Sequence, residues 1–446
     1  MRQVERHLIK PSNDLYTICD DLTFKSKNLY NAGLYQIRQS ILERNKSDKE
    51  DKKPVPSWIQ LVSELRKQDQ NDMKALPSKV STNIIKMLGG NISSYYHLLK
   101  GYNDKSNKSI TNKPKLPGYL HKTEGRYVVE FTNQTFAKKR GENNELILCP
   151  RELRISIPTK VDNPKCVKII PKDGYFFIDV IYEVKERSFR KTHKYAGIDL
   201  GVDNLAAVTF SDGTNPLLVK GLKVKHINQG YNRLIAKSQS KLPKNQETSK
   251  HIHRLFRNRE MKLQSEFHKI TGFLAEFFDE MALEKVFVGK NVGLKSGISI
   301  GKRGNQNFVQ IPYNKFISQL KYKCQLRGIE VVEQEESYTS KASFIDYDVI
   351  PIWKADGKKY TFSGKRVKRG LYKSKIGKLI NADINGSYNI LSKGLGKLGI
   401  SLNRNKVSFH TRSLTGYDTL SNKKIVKKIQ VNPYFGIHQR GLIEVL

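Results

Sequence analysis

Asp199 at the end of the apolar run YAGID, Asp383 in NADINGSYNI, and the tandem Glu335 and Glu336 in EVVEQEESYTSK are the residues of this sequence whose type and placement could do chemistry. Open α/β sheets bind ligands where their strands end, so carboxylates there can converge on one site. Two or three converging carboxylates hold a pair of magnesium ions about 4 Å apart, one activating water and the other stabilising the leaving oxygen of a phosphodiester. Each position also has a plainer reading. Asp199 is then a turn residue, Asp383 a helix N-cap, and the glutamates a solvated strand terminus. The combination is more specific than its parts. Alternation along the run puts Glu333 and Glu335 on one face and Glu336 on the other, although a bend before Ser337 would reverse that. Glu336, nearer the strand end, is the preferred partner of the two aspartates.

The elements around these residues follow from texture. YAGID is a buried strand and AAVTF a second one, ending at the hairpin signal Asp212–Gly213. A helical region over 226–283, strand KVFVGK, helix IPYNKFISQLKYKCQLRG, strand IEVVEQE and helix INGSYNILSKGL follow, an alternation that implies an α/β layer structure with a parallel or mixed sheet. Residues 13–45, a stretch from Trp58, and SKVSTNIIKMLGGNISSYYHLLKGY have helical spacing, whereas 126–187 breaks into short alternating runs with the signature of a barrel of roughly five strands. The N-terminal RQVERHLIK is a candidate first strand, with the helices inserted after it.

At 446 residues the chain is expected to divide into two or more domains, and 38% hydrophobic content excludes a disordered polycation. Lys and Arg number 80 against 42 Asp and Glu, leaving a net charge of +38 that points to a polyanion as partner. Nucleic acid is the natural one. The N-terminus has no secretion signal and no run of about 18 apolar residues is present, so no membrane partner is expected and the protein reads as intracellular. Cys19, Cys149, Cys166 and Cys324 form no C-x-x-C pair and read as reduced, packed thiols without zinc.

The segments YAGIDLGVDNLAAV, FHKIT, QLKYKCQLRGIEVVEQEESYTSKAS and INADINGSYNIL, in that order over about 194–392, resemble the RuvC-type nuclease half of TnpB proteins. Those are transposon-encoded RNA-guided DNA nucleases related to type V CRISPR effectors. ALPSKV and KPKLPGYLHK are similar to that family's helical recognition insert and wedge barrel. The resemblance implies an α/β RuvC-like (RNase H-like) nuclease domain over 191–394, with a cysteine-free target-loading insert at about 343–380. It also implies an N-terminal β-barrel wedge domain, 1–19 and 119–190, carrying a helical recognition insert, 20–118, and it leaves 395–446 as a basic extension. The implied activity is metal-dependent, RNA-guided cleavage of double-stranded target DNA. Guide RNA and two Mg2+ ions would be required, with Asp199, Asp383 and Glu336 or Glu335 as catalytic residues and Asp199, Glu336 and Asp383 as ligands. A prokaryotic cytoplasm, in association with the nucleoid, is the implied location.

Two departures from the family pattern stand out. Its second acid ordinarily ends the strand that here reads KVFVGKN, so Gly289 or Lys290 stands in its place. Either the chain is a nuclease-inactive RNA-guided DNA binder, or Glu335 or Glu336 projects from the neighbouring strand into the gap. Retention of Asp199 and Asp383 favours the second. The other departure is the zinc ribbon: its cysteines are missing from 341–375, no zinc is expected, and Phe344, Ile350, Trp353, Tyr360 and Phe362 are the candidates to replace it by packing.

In KHIHRLFRNREMKLQ, His251, Arg254, Arg257 and Lys262 recur at about helical spacing and are candidate phosphate contacts. SGISIGKRGNQN has the wrong glycine spacing for a nucleotide loop and reads as a lid touching DNA through Lys302 and Arg303.

Overall fold

Alternation of exposed and half-buried positions along RQVERHLI makes the first strand, β1 (Arg2–Ile9). The structure is a computed structural model that describes residues 1–46, 54–104, 112–149, 151–290, 309–352 and 359–414. Its chain divides into two units, Met1–Val184 and Lys185–Leu446.

In the first unit the chain leaves β1 for four helices, α1 (Tyr16–Lys46), α2 (Trp58–Lys67), α3 (Asn71–Lys74) and α4 (Ser78–Asn103). It returns as β2 (Val129–Thr132), β3 (Leu146–Leu148), β4 (Ile155–Ile157), β5 (Pro164–Lys172) and β6 (Tyr175–Glu183). Among the described residues the strands hydrogen-bond as an antiparallel sheet, β1-β6-β5-β2, and a separate β3–β4 hairpin. Asp173 and Gly174, at φ +48° and +75°, make the tight turn between β5 and β6. Helices α1 and α4 approach closely at Gly33, where a Cβ would come within 2.9 Å of the Ile85 and Leu88 side chains. The proline-punctuated segment 117–122 is strapped along α1, with Arg38 donating to Pro117 O at 2.7 Å, Asn31 to Leu120 O at 2.9 Å and Lys27 to Lys122 O at 2.6 Å.

The second unit is built on a six-stranded mixed sheet. In chain order its elements are β7 (Tyr195–Leu200), β8 (Asn204–Phe210), β9 (Leu217–Lys220), α5 (Leu222–Gln239), α6 (Lys250–Glu280), β10 (Lys285–Gly289), α7 (Tyr313–Gln325) and β11 (Glu330–Gln334). After them come β12 (Lys365–Lys368), β13 (Leu371–Lys373), β14 (Leu379–Asn381), α8 (Ala382–Gly396) and β15 (Arg412–Leu414). The sheet order is β11-β10-β7-β8-β9-β15, with β7, β8 and β9 an antiparallel meander and β10 and β11 parallel to β7. Strand β15 pairs in parallel with β9, so the sheet reaches beyond residue 394 into the segment that the sequence left unassigned. Three residues are too few to show a period.

The two faces of this sheet carry different loads. Ala196, Ile198, Val208, Val286 and Val288 pack on Phe267 and Leu274 of α6 and Phe316 and Leu320 of α7. Tyr195, Ala207, Leu218 and Phe287 pack on Ile384, Tyr388 and Leu391 of α8. Strand alternation therefore assigns Gly197 and Asp199, in register with Tyr195, to the face that α8 covers. Helix α8 lies close on that face because Gly197 has no side chain: a Cβ there would sit 2.5 Å from Ser387 O. Ser387 Oγ donates to Gly197 O at 2.9 Å, and the buried amides of Asn385 and Asn389 donate to Ala342 O and Thr339 O at 2.8 Å, which ties the enclosed helix to β7 and to the segment 339–342.

Strands β12, β13 and β14 form a small antiparallel sheet in the cysteine-free insert. Tyr372 is fully buried in it and donates to Lys341 O at 2.8 Å. Phe344 stacks on Tyr388 at 4.6 Å between centroids, and Tyr338 meets Tyr360 at 5.2 Å and Phe362 at 6.0 Å. Ile350 is half-buried, and Trp353 lies outside the described residues. Among the described residues no helix is long and apolar enough to cross a membrane.

Candidate active site

Asp199 is the next-to-last residue of β7, and its carboxylate lies against α8 at Gly386, where a Cβ would sit 2.5 Å from Oδ2. Asp383 is the second residue of α8. The N-cap is Asn381, whose side chain accepts from Asp383 N at 2.9 Å and Ile384 N at 3.2 Å. Asp383 is thus not the cap, and its own carboxylate is left to accept from Asn204 Nδ2 at 2.7 Å and to pair with Arg366 at 3.5 Å. Asn204 is buried and in turn accepts from Lys220 Nζ at 3.0 Å.

The tandem glutamates part company. Pairing of β10 with β11 matches Gly289 with Gln334, and beyond that pair the carboxylate of Glu336 folds over Gly289. A Cβ at 289 would meet Glu336 Oε2 at 2.5 Å and Ile390 Cδ1 at 2.6 Å, so the space above the glycine is the space that this carboxylate fills. Glu335 is engaged elsewhere, by Lys393 Nζ at 2.5 Å and Ser337 N at 2.7 Å. Lys290 does not enter the cluster. Its ammonium binds Glu333 at 2.6 Å, which Lys321 also binds at 2.6 Å.

Charge coupling ties the acids together. Burial raises the Asp199 carboxyl well above its ordinary range, and the Glu336 and Asp383 carboxylates add to the rise while Arg366 opposes it. Burial likewise pushes Glu336 up to about 7, with Glu335 contributing and Lys393 opposing. Burial also raises the Tyr313 phenol, and the charges of Asp199 and Glu336 raise it further; its hydroxyl donates to Gly201 O at 2.9 Å. Among the described residues, no three Asp, Glu, His or Cys side chains close on one point as a ready cage for a single ion. What the arrangement offers is an anionic surface of three half-buried carboxylates at the ends of β7 and β11 and the start of α8.

The basic residues of α6 divide. His251, Arg254 and Lys262 are exposed, with Arg254 donating to His251 Nδ1 at 2.9 Å and Lys262 lying 5.3 Å from the Tyr231 ring centroid. Arg257 is only 3% exposed, a correction to its reading as a phosphate contact. Each three-residue step lags a full turn by about 60°, so position 257 has swung about 120° from His251, whereas 262 has returned to within about 20°. Lys302 and Arg303 lie outside the described residues. Sequence reasoning missed Asn204, Lys220, Arg366, Tyr313 and Lys393. None carries a local signal, because each is recruited by a partner distant in sequence.

Comparison with known proteins bears on family and fold. Residues 179–295 match a family model described as a probable transposase, OrfB_IS605, and 313–390 match one described as the TNB domain of Cas12f1-like proteins. A TnpB-like protein, ORF457, of Acidianus two-tailed virus is 25% identical over 317 residues, spanning 63% of this chain and 65% of that relative, just under two thirds of its length. A solved Cas12f1–sgRNA–target DNA complex aligns with a TM-score of 0.50 over 84% of this chain and 82% of that one. At 14% identity that is a likeness of fold.

Proposed function

We propose that this chain, a member of the TnpB family, is an RNA-guided DNA endonuclease whose site is Asp199, Glu336 and Asp383 on a RuvC-like sheet. The observation that carries the reading is Glu336 filling the space over Gly289, beside the strand end that bears Asp199. Lys290, the best support for an inactive binder, is committed to Glu333 and leaves the acids alone.

The donors are all carboxylate oxygens, the hard set that magnesium takes. Magnesium keeps several of its waters and needs only one or two carboxylates, so two ions shared among three acids fit without any one ion touching all three. Such ions, when bound, supply an activated water and neutralise charge on the leaving oxygen. The protein's own part is to hold acids ready. Gly386 and Gly289 admit the carboxylates of Asp199 and Glu336 against the helix and the strand end, and Asn204 orients that of Asp383. Desolvation of the Asp199 and Glu336 carboxylates favours a divalent cation over water as their partner.

The net charge of +38 suits a guide RNA and double-stranded target DNA as partners. His251, Arg254 and Lys262 are the proposed phosphate contacts of α6. In this reading 1–19 and 119–190 act as the wedge barrel, 20–118 as the recognition insert, and 343–380 as the segment that loads the target strand. The test is cleavage of matched DNA in magnesium by the protein purified with its cognate RNA. Asp199→Ala should bind the target as the parent does and fail to cut it; undiminished cutting by that variant would overturn the assignment.

A further inference from the structure

A buried cation stands beside the acids without joining them. Lys393, in the last turn of α8, has a side chain only 8% exposed, and its ammonium donates to Glu335 Oε2 at 2.5 Å, Ser337 O at 3.1 Å and Pro351 O at 3.2 Å. Three donors thus meet three acceptors, which is what makes a desolvated ammonium tolerable. Glu335 closes the ring by accepting from Ser337 N at 2.7 Å.

The consequence falls on the residue between. Pairing of β10 with β11 ends at Gly289 and Gln334, with Lys290 N donating to Gln334 O at 2.8 Å. Past that point no ladder enforces alternation of side chains. The clasp takes over: it fixes the carboxylate of residue 335 and both the N–H and the carbonyl of residue 337. Immediately beyond, Thr339 donates to Glu336 O from N at 3.2 Å and from Oγ1 at 2.8 Å, with Tyr338 at φ +64°. Held on both sides, the backbone aims Glu336 at Gly289 while Glu335 is occupied.

We propose that Lys393 is a positioning residue that decides which of the tandem glutamates serves the acidic site: by binding Glu335 and the carbonyls of Ser337 and Pro351, it delivers Glu336. The proposal rests on the reading of Glu336 as an ion ligand.

The test is a double-mutant cycle on the full chain, read as Mn2+ affinity by calorimetry with the unfolding midpoint recorded in parallel. Mn2+ stands in for magnesium at carboxylate sites. Loss of an outer-shell partner ordinarily weakens metal binding about 10- to 100-fold, and Lys393→Met is expected within that range, with Glu336→Gln, which removes the ligand charge itself, losing at least as much. The double variant should bind no more weakly than Glu336→Gln alone, within about twofold, because Lys393 acts through Glu336. Its loss of unfolding midpoint should be the same in either background. Losses of affinity that multiply, or wild-type affinity in Lys393→Met, overturn the proposal. Should Lys393→Met not fold, Glu335→Gln removes the charge and keeps the shape. It should weaken Mn2+ binding about threefold in the parent and not in Glu336→Gln; unchanged affinity in the parent again overturns the proposal. Unchanged affinity in Glu336→Gln itself removes the ligand reading of that residue, a different failure from that of Lys393.

Discussion

Two sets of carboxylates in the second unit are treated in opposite ways. In the insert, Asp348 accepts from Ser343 N at 2.7 Å, Ser363 N at 3.0 Å and Ser363 Oγ at 2.6 Å, and Asp346 accepts from Lys375 N at 2.7 Å. These charges are spent on backbone and hydroxyl donors and tie together the loops of the insert. At the sheet end, the half-buried Asp199 and Glu336 are coupled in charge, and desolvation raises the pKa values of both. Hydrogen-bonded carboxylates build structure, whereas crowded ones hold electrostatic repulsion that a cation relieves.

The comparison can be broken most forcefully at Asp199. Asp199→Asn should lower DNA cleavage by at least about a thousandfold while target binding, read by gel shift, stays within about twofold, because only the charge that the reaction needs is removed. The neighbouring gap is tested by Gly289→Ala. Its Cβ would displace the flexible end of Glu336 and the Ile390 methyl, so cleavage should fall about a hundredfold with less than about 1.5 kcal/mol lost in denaturant unfolding.

Stability should respond in opposite senses in the two regions. The folded pKa of Glu336, about 7, lies above its reference of 4.5. The unfolded chain therefore releases this proton first, and the group subtracts stability as pH rises from 4.5 through 7. In chelator at pH 8, Glu336→Gln should be more stable than the parent by up to about 3 kcal/mol, and the gain should vanish by about pH 4. Asp348→Ala should instead destabilise by about 2–3 kcal/mol, since it strands backbone donors. A stabilised Asp348→Ala would erase the contrast. The smallest effect expected is none: reductant should leave unfolding of the metal-free parent unchanged within about 1 °C, the four cysteines being free thiols.

Much of the proposed site was legible from local pattern. YAGID announces a buried strand ending in an acid, and NADINGSYNI a helix start with an acid in its first turn, because burial and capping leave short-range traces. The tandem glutamates were legible as a pair, and their division was not. Alternation sets Glu335 and Glu336 on opposite faces and nearness to the strand end favours Glu336, but alternation loses force where the ladder stops, and the clasp that replaces it comes from Lys393, far along the chain. Arg257 misled for a related reason: a run of basic residues every three positions drifts around a helix and ends on its buried side. Strand β15 left no trace at all, being three residues long and made by its partner β9.

The sequence by itself determined which acids exist and which strand ends or helix starts bear them. It also carried the charge that calls for a polyanion. Only the tertiary structure decided that Asp199 feels the charges of Glu336 and Asp383, that Gly289 vacates the space for Glu336, and that Lys393 takes Glu335 out of contention. Periodicity is a property of neighbours along the chain, while convergence depends on strand order and on how closely a glycine-lined helix can approach a sheet, and those are set by packing between segments remote in sequence.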